Sequence, residues 1–182
     1  MYSDNRILES AEKMAAIVNK EKPFKVSLEI IPIGNNSSPS SLYIGSSVKI
    51  KFESEKDCYL TLIDMGTSGN AYIILPNMFN IDNFVKAGKT VYFPEGDEDV
   101  AAMIQGPAGI EMIKAFATEK PLNLFELDFK NLTSASLTFT SDTLASKAEK
   151  ISKKLSKEPS SSWCDAICEF RILGEPSVPP VM

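Results

Sequence analysis

The chain has 182 residues, 43% of them apolar and 24% charged, which suits one globular domain able to hold a core without disulfides or a metal. It contains no histidine, which excludes Ser-His-Asp and Cys-His catalysis and histidine-containing zinc sites. Nineteen basic against 24 acidic side chains leave a formal charge of −5, which argues against nucleic acid as the main partner because phosphate binding needs a basic surface.

From the N-terminus, residues 4–19 carry Ile7, Leu8, Ala11, Met14, Ala15 and Val18 at helical spacing, with Ser3 as the expected N-cap and Pro23 as the stop. This helix either packs on its own domain or serves a partner or an upstream neighbour. The pattern then changes. Phe24–Ile30 and Val48–Glu53 alternate apolar and polar residues as half-buried strands do, on either side of a polar loop at 34–41. Tyr59–Met65 and Ala71–Leu75 read as two strands joined at a hairpin tip with Gly66 and Gly69 at its ends, both expected to supply positive φ. Further strands are expected at Thr90–Phe93, Val100–Ile104 and Ile110–Ala117, separated by turns at 87–89, 95–99 and 106–109. The segment 122–131 reads as a short helix or an irregular crossing, and 136–139 as a brief strand. Asp142–Lys157 is a second amphipathic helix, with Leu144, Ala148, Ile151 and Leu155 on one side and five lysines on the other, expected to stand in water. Trp163–Ile172 reads as a last strand.

Repeated short strands with turn signals between them predict a mainly β protein, an antiparallel β-sandwich of Ig-like style with two helices. The expected organisation is a helical extension at 1–22, a sandwich domain at 23–173 that includes helix 142–157, and a disordered tail at 174–182. Cys58, Cys164 and Cys168 are odd in number and lack Cys-x-x-Cys spacing, so free thiols are expected, with Cys164 and Cys168 on one face of their strand. Free thiols and the lack of a continuous apolar leader favour a cytoplasmic location, and no stretch approaches the ~18 apolar residues of a membrane span.

Three blocks carry a resemblance. Tyr59-Leu60-Thr61-Leu62-Ile63-Asp64, Gly69 and Ile73-Ile74-Leu75-Pro76-Asn77 form the first. Val85-Lys86-Ala87-Gly88-Lys89 with Phe93-Pro94 form the second, and Gly106-Pro107-Ala108-Gly109-Ile110-Glu111 through Lys114-Ala115-Phe116-Ala117-Thr118 and Pro121-Leu122 the third. In this order they are similar to a bacterial domain-of-unknown-function family, numbered 4384, over about residues 46–125. The resemblance implies a non-catalytic β-sandwich that acts as an accessory or recognition module, and it carries over no functional residue.

Among candidate sites, the acidic turn Glu95, Asp97, Glu98 and Asp99 lacks EF-hand spacing and reads as solvated. No metal or cofactor is expected. No nucleophile elbow, Walker loop or dinucleotide glycine pattern occurs, so an enzyme is not expected. Met78, Phe79, Ile81 and Phe84 crowd one predicted loop. Tucked against a sheet end they are core, and exposed they are an apolar binding patch. The functional expectation is therefore an interaction module that binds a protein partner through loops at one end of the sandwich. The alternative is a sensor domain for a small ligand or carbohydrate.

Overall fold

The computed structural model describes residues 3–34, 38–97 and 99–174, with side chains from residue 8 onward. The expected Ser3 cap, Ile7 contact, Glu98 and the tail from 175 lie outside what is described. Among the described residues there are eleven strands and two α-helices: α1 Ser3–Ala15, β1 Val26–Ile33, β2 Ser41–Tyr43, β3 Ser47–Ser54, β4 Cys58–Met65, β5 Asn70–Leu75, β6 Phe84–Val85, β7 Val91–Phe93, β8 Ala102–Met103, β9 Gly109–Thr118, β10 Thr138–Thr140, α2 Ser141–Leu155 and β11 Trp163–Leu173.

The strands form two sheets. The smaller runs β1-β3-β7, with β8 also on β3, and the larger runs β10-β5-β4-β9-β11-β2, with β6 on β4. Every pairing between these strands is antiparallel except β11 with β2. Period-2 alternation sorts the side chains. In β4, Leu60 and Leu62 enter the core between the sheets beside Ile30, Ile50 and Phe52. Ile63 and Met65 enter a second core on the opposite face, with Met112 and Phe116 of β9 and with Met14, Leu144, Ile151 and Leu155 of the helices. The larger sheet is thus buried on both faces at its centre, so most of β9 is buried without alternation. The sandwich is as expected, but the helices are a third layer over the larger sheet.

Four elements differ from the sequence-based expectation. Helix α1 ends at Ala15 rather than residue 19. Asn19 draws the chain out of the helix: its N–H donates to Asp165 Oδ1 at 2.7 Å and its amide donates to the carbonyls of Ser160 and Trp163. Val18 is consequently exposed and Ile17 buried. Strands β2 and β6 fall where the sequence predicts loop, because each is two or three residues long and is defined by a remote partner. The segment 122–131, by contrast, takes the irregular of its two expected forms, with Leu124, Phe125 and Leu127 buried in the second core. At the hairpin tip only Gly69 takes positive φ, and Gly66 instead lies close to the Asn70 carbonyl. A Cβ at Gly106 would meet the terminal methyl of Ile44 at 2.7 Å, so that side chain would have to turn aside.

Candidate functional site

At one end of the sandwich the two sheets part into a cleft of about 950 Å³. Its floor is the end of the inter-sheet core, with Ile50 and Phe93 from the smaller sheet and Ile113 and Phe170 from the larger. Its walls are four connections: the hairpin tip at 66–70, the loop at 77–80, the turn at 94–95 and the stretch 102–106. Side-chain bonds fix these walls. Thr67 Oγ1 donates to the Pro107 carbonyl at 2.6 Å and ties the hairpin tip to the 106–109 turn. Asn77 Oδ1 accepts the Phe79 and Asn80 N–H groups at 2.9 Å, while its amide donates to the Ile74 carbonyl. Asn80 accepts the Asn83 N–H, and its amide donates to Glu95 Oε1 at 3.1 Å. Asn83, at φ +44°, donates from its amide to the Leu60 carbonyl. Three asparagines at three-residue spacing therefore set the loop between β5 and β6, each satisfying backbone groups that no ladder reaches.

That loop places Met78, Phe79, Ile81 and Phe84 in solvent rather than in the core. The asparagine bonds hold the loop backbone turned outward, so Met78, Phe79 and Ile81 have no sheet to cover. Phe79 is 93% exposed and lines the cleft, whereas Met78, Ile81 and Phe84 do not line it. Phe84 belongs to β6 and meets the Tyr59 ring edge-on at 5.5 Å between centroids. Met103 of β8, 65% exposed, supplies a second apolar lip from the smaller sheet.

Within the cleft lie two carboxyl groups. Asp64 follows Leu60 and Leu62 on the sandwich-facing parity of β4, and Glu111 precedes Ile113, Ala115 and Ala117 on the same parity of β9. Register pairs Asp64 with Ile113, so Glu111 stands diagonally beside Asp64 on one face. Asp64 Oδ1 is fully buried and has no hydrogen-bond partner among the described residues. Burial, and then the charge of Glu111 beside it, holds the Asp64 carboxyl well above the ordinary carboxylate range. Burial also raises Glu111, partly offset by its bonds from Asp64 and the Thr67 N–H. Two such groups in contact share a proton rather than both ionise. Glu95 is a third carboxyl in the lining, and no lysine or arginine lines the cleft among the described residues. Composition alone does not reveal this pair; the available signal was an acid placed on the core parity of each apolar strand.

The other candidates fall elsewhere. The lysine face of α2 is not simply in water: Lys147 Nζ donates to the Phe125 carbonyl at 2.7 Å, Lys154 Nζ to the Asn123 carbonyl at 2.9 Å, and Lys150 and Lys154 pair with Glu126. Irregular backbone at 122–131 needs partners, and these lysines supply them. The acidic turn is held from beneath by buried Lys49, whose Nζ donates to the carbonyls of Gly96 and Asp97. The three cysteines are free, and burial raises each thiol. No group of three or more metal-ligating side chains occurs, and no helix is long and apolar enough to cross a membrane, among the described residues.

No curated protein and no solved structure matches the chain. Residues 41–121, from β2 through β9 and including Asp64, Phe79, Met103 and Glu111, match the family model described as Domain of unknown function (DUF4384).

Proposed function

We propose that the chain is a non-catalytic binding module that holds a segment of a protein partner in the cleft at the end of the sandwich. The observation that carries this reading is the cleft itself: about 950 Å³, apolar at the floor, with Phe79 and Met103 standing in solvent as lips from the two sheets. Exposed apolar groups around a concavity favour a macromolecular partner, because a monomer gains nothing by leaving them in water. The lining supports a non-catalytic role. Among the described residues the lining brings no lysine or cysteine to its serine and threonine.

The test is a random-peptide display library panned on the protein, with Phe79→Asp and Met103→Asp proteins as controls. Both side chains are largely exposed, so both variants keep the fold. Peptides captured by the parent and lost by either variant support the reading. Capture that neither variant alters refutes it, and cleavage of captured peptides replaces it with an acid-dyad protease. A cleft of this volume also lies within the range of small-molecule sites, which favours a ligand sensor as the second reading. A melting temperature raised by one compound of a metabolite and sugar panel would select it.

A further inference from the structure

We propose that Asp64 and Glu111 form the subsite of this cleft that receives a basic side chain, lysine or arginine, of the bound segment. The proposal rests on the reading of the cleft as a peptide site and names the chemistry it selects.

Several other acids of the described residues are answered from within, and the remainder stand at least partly in water. Asp165 has Lys114 and the Asn19 N–H, Glu53 has Thr90 and Lys51, and Glu126 has Lys150 and Lys154. Asp57 accepts the Ala87 N–H, and Asp128 accepts from Asn131 and the Lys130 N–H. Asp64 stands apart, with a buried oxygen that has no donor among the described residues. A buried polar atom without a partner is expensive, and in native proteins such an atom calls for a specific explanation.

The surroundings indicate what would answer it. Three carboxyl groups, Asp64, Glu95 and Glu111, face a space lined by no cation among the described residues. An anionic ligand would meet only repulsion there. A neutral donor would bond the oxygen but leave uncompensated the negative charge that remains on the proton-sharing pair. A lysine or arginine meets both demands: its N–H groups donate to Asp64 Oδ1 and to Glu111, and its charge replaces their shared proton, which passes to solvent. Its methylene stem would lie along Ile113, Phe93 and Phe170, as amphipathic side chains do against apolar walls. The hairpin tip leaves room for this approach, since Gly66 has no side chain above Glu111 Oε2.

The experiment uses the peptides selected by display on the intact protein. The expected result is a lysine or arginine at one fixed position. Replacing it by methionine weakens binding to the parent protein by about tenfold or more. Asp64→Asn and Glu111→Gln proteins lose the same factor and no longer distinguish the two peptides. Both substitutions are nearly isosteric and remove charge from a buried place, so the fold is kept. The methionine peptide tests the parent protein itself, independently of any variant. Captured peptides that need Phe79 and Met103 but show no basic position, or that bind Asp64→Asn as tightly as the parent, overturn the proposal and leave the peptide cleft standing. Capture indifferent to Phe79→Asp and Met103→Asp removes the peptide cleft and the proposal together.

Discussion

Lys114 Nζ lies 2.6 Å from Asp165 Oδ2, and the lysine side chain has no accessible surface. The pair bridges neighbouring strands β9 and β11 on the helix-facing side, where Lys114 also donates to the Ala15 carbonyl at the end of α1 at 3.3 Å. Burial pushes the ammonium down while Asp165 holds it up. Breaking a buried pair from one side leaves a naked charge, so Asp165→Ala or Lys114→Ala is expected to cost about 3–5 kcal/mol. Lys114→Met together with Asp165→Asn removes both charges and is expected to recover most of that loss. Urea unfolding of the three proteins checks it, and equal destabilisation in the single and double variants would contradict it.

Asp64 and Glu111 set a pH dependence of opposite sense to the usual carboxylate. Their folded values are raised, so the folded state holds protons that the unfolded chain releases. Their contribution to stability is therefore full below about pH 4, where the unfolded groups are protonated, and is lost as pH rises through the raised values. Asp64→Asn is expected to melt about 2–4 °C above the parent at neutral pH, the shift that ~1 kcal/mol produces in a chain of this size. The gap is expected to close towards about pH 4. Paired thermal melts across that range measure it, and a gap that does not change with pH would count against the shared proton.

Lys147 is expected to hold the irregular segment rather than to face a partner. Its ammonium donates to the Phe125 carbonyl and lies 5.5 Å from the Phe139 ring, which in turn stacks on Phe125. Lys147→Met should lose about 1–2 kcal/mol, the loss of a charged hydrogen bond to a carbonyl. Hydrogen exchange should quicken at residues 123–127 and stay unchanged in β4 and β9, while peptide capture by the cleft is kept. Exchange that quickens uniformly would show that the lysine acts on the whole fold.

The segment 41–121 that matches the family should not fold when expressed alone. It lacks β1, which pairs with β3 along all eight residues, and β11, which lies between β9 and β2. Cut there, β9 and β3 present long unpaired edges, a template for aggregation. Residues 3–174 should give a dispersed amide spectrum, whereas 41–121 should give a collapsed one or precipitate. A well-dispersed spectrum from the shorter piece would disprove the dependence.

The strands and α2 were legible because their signals are local. Val48–Glu53 alternates and becomes β3, and Leu144, Ala148, Ile151 and Leu155 are buried as their spacing predicts. The cleft was not legible in that way. Asp64 and Glu111 meet only through the β4–β9 register, which no local pattern states, although each breaks an apolar run on its buried parity. Phe79 was singled out by composition, but whether it faced core or solvent depended on Asn77, Asn80 and Asn83, whose role is a hydrogen-bond geometry rather than a hydropathy. Met103 looks like an ordinary strand residue, and β2 leaves no local signal because a three-residue strand takes its identity from its partner. Likewise, lysines opposite an apolar stripe look solvated until an irregular segment crosses above them.

The position of β11 also determines how this protein is born. Strands β2 and β9 emerge early, yet the strand that belongs between them is made later, after α2. Until Leu173 has cleared the ribosome the larger sheet stays split, and its edges stand open to chaperones or to neighbouring nascent chains. A premature stop anywhere before Trp163 therefore yields not a shortened domain but an unfinished one, and quality control rather than lost chemistry decides its fate.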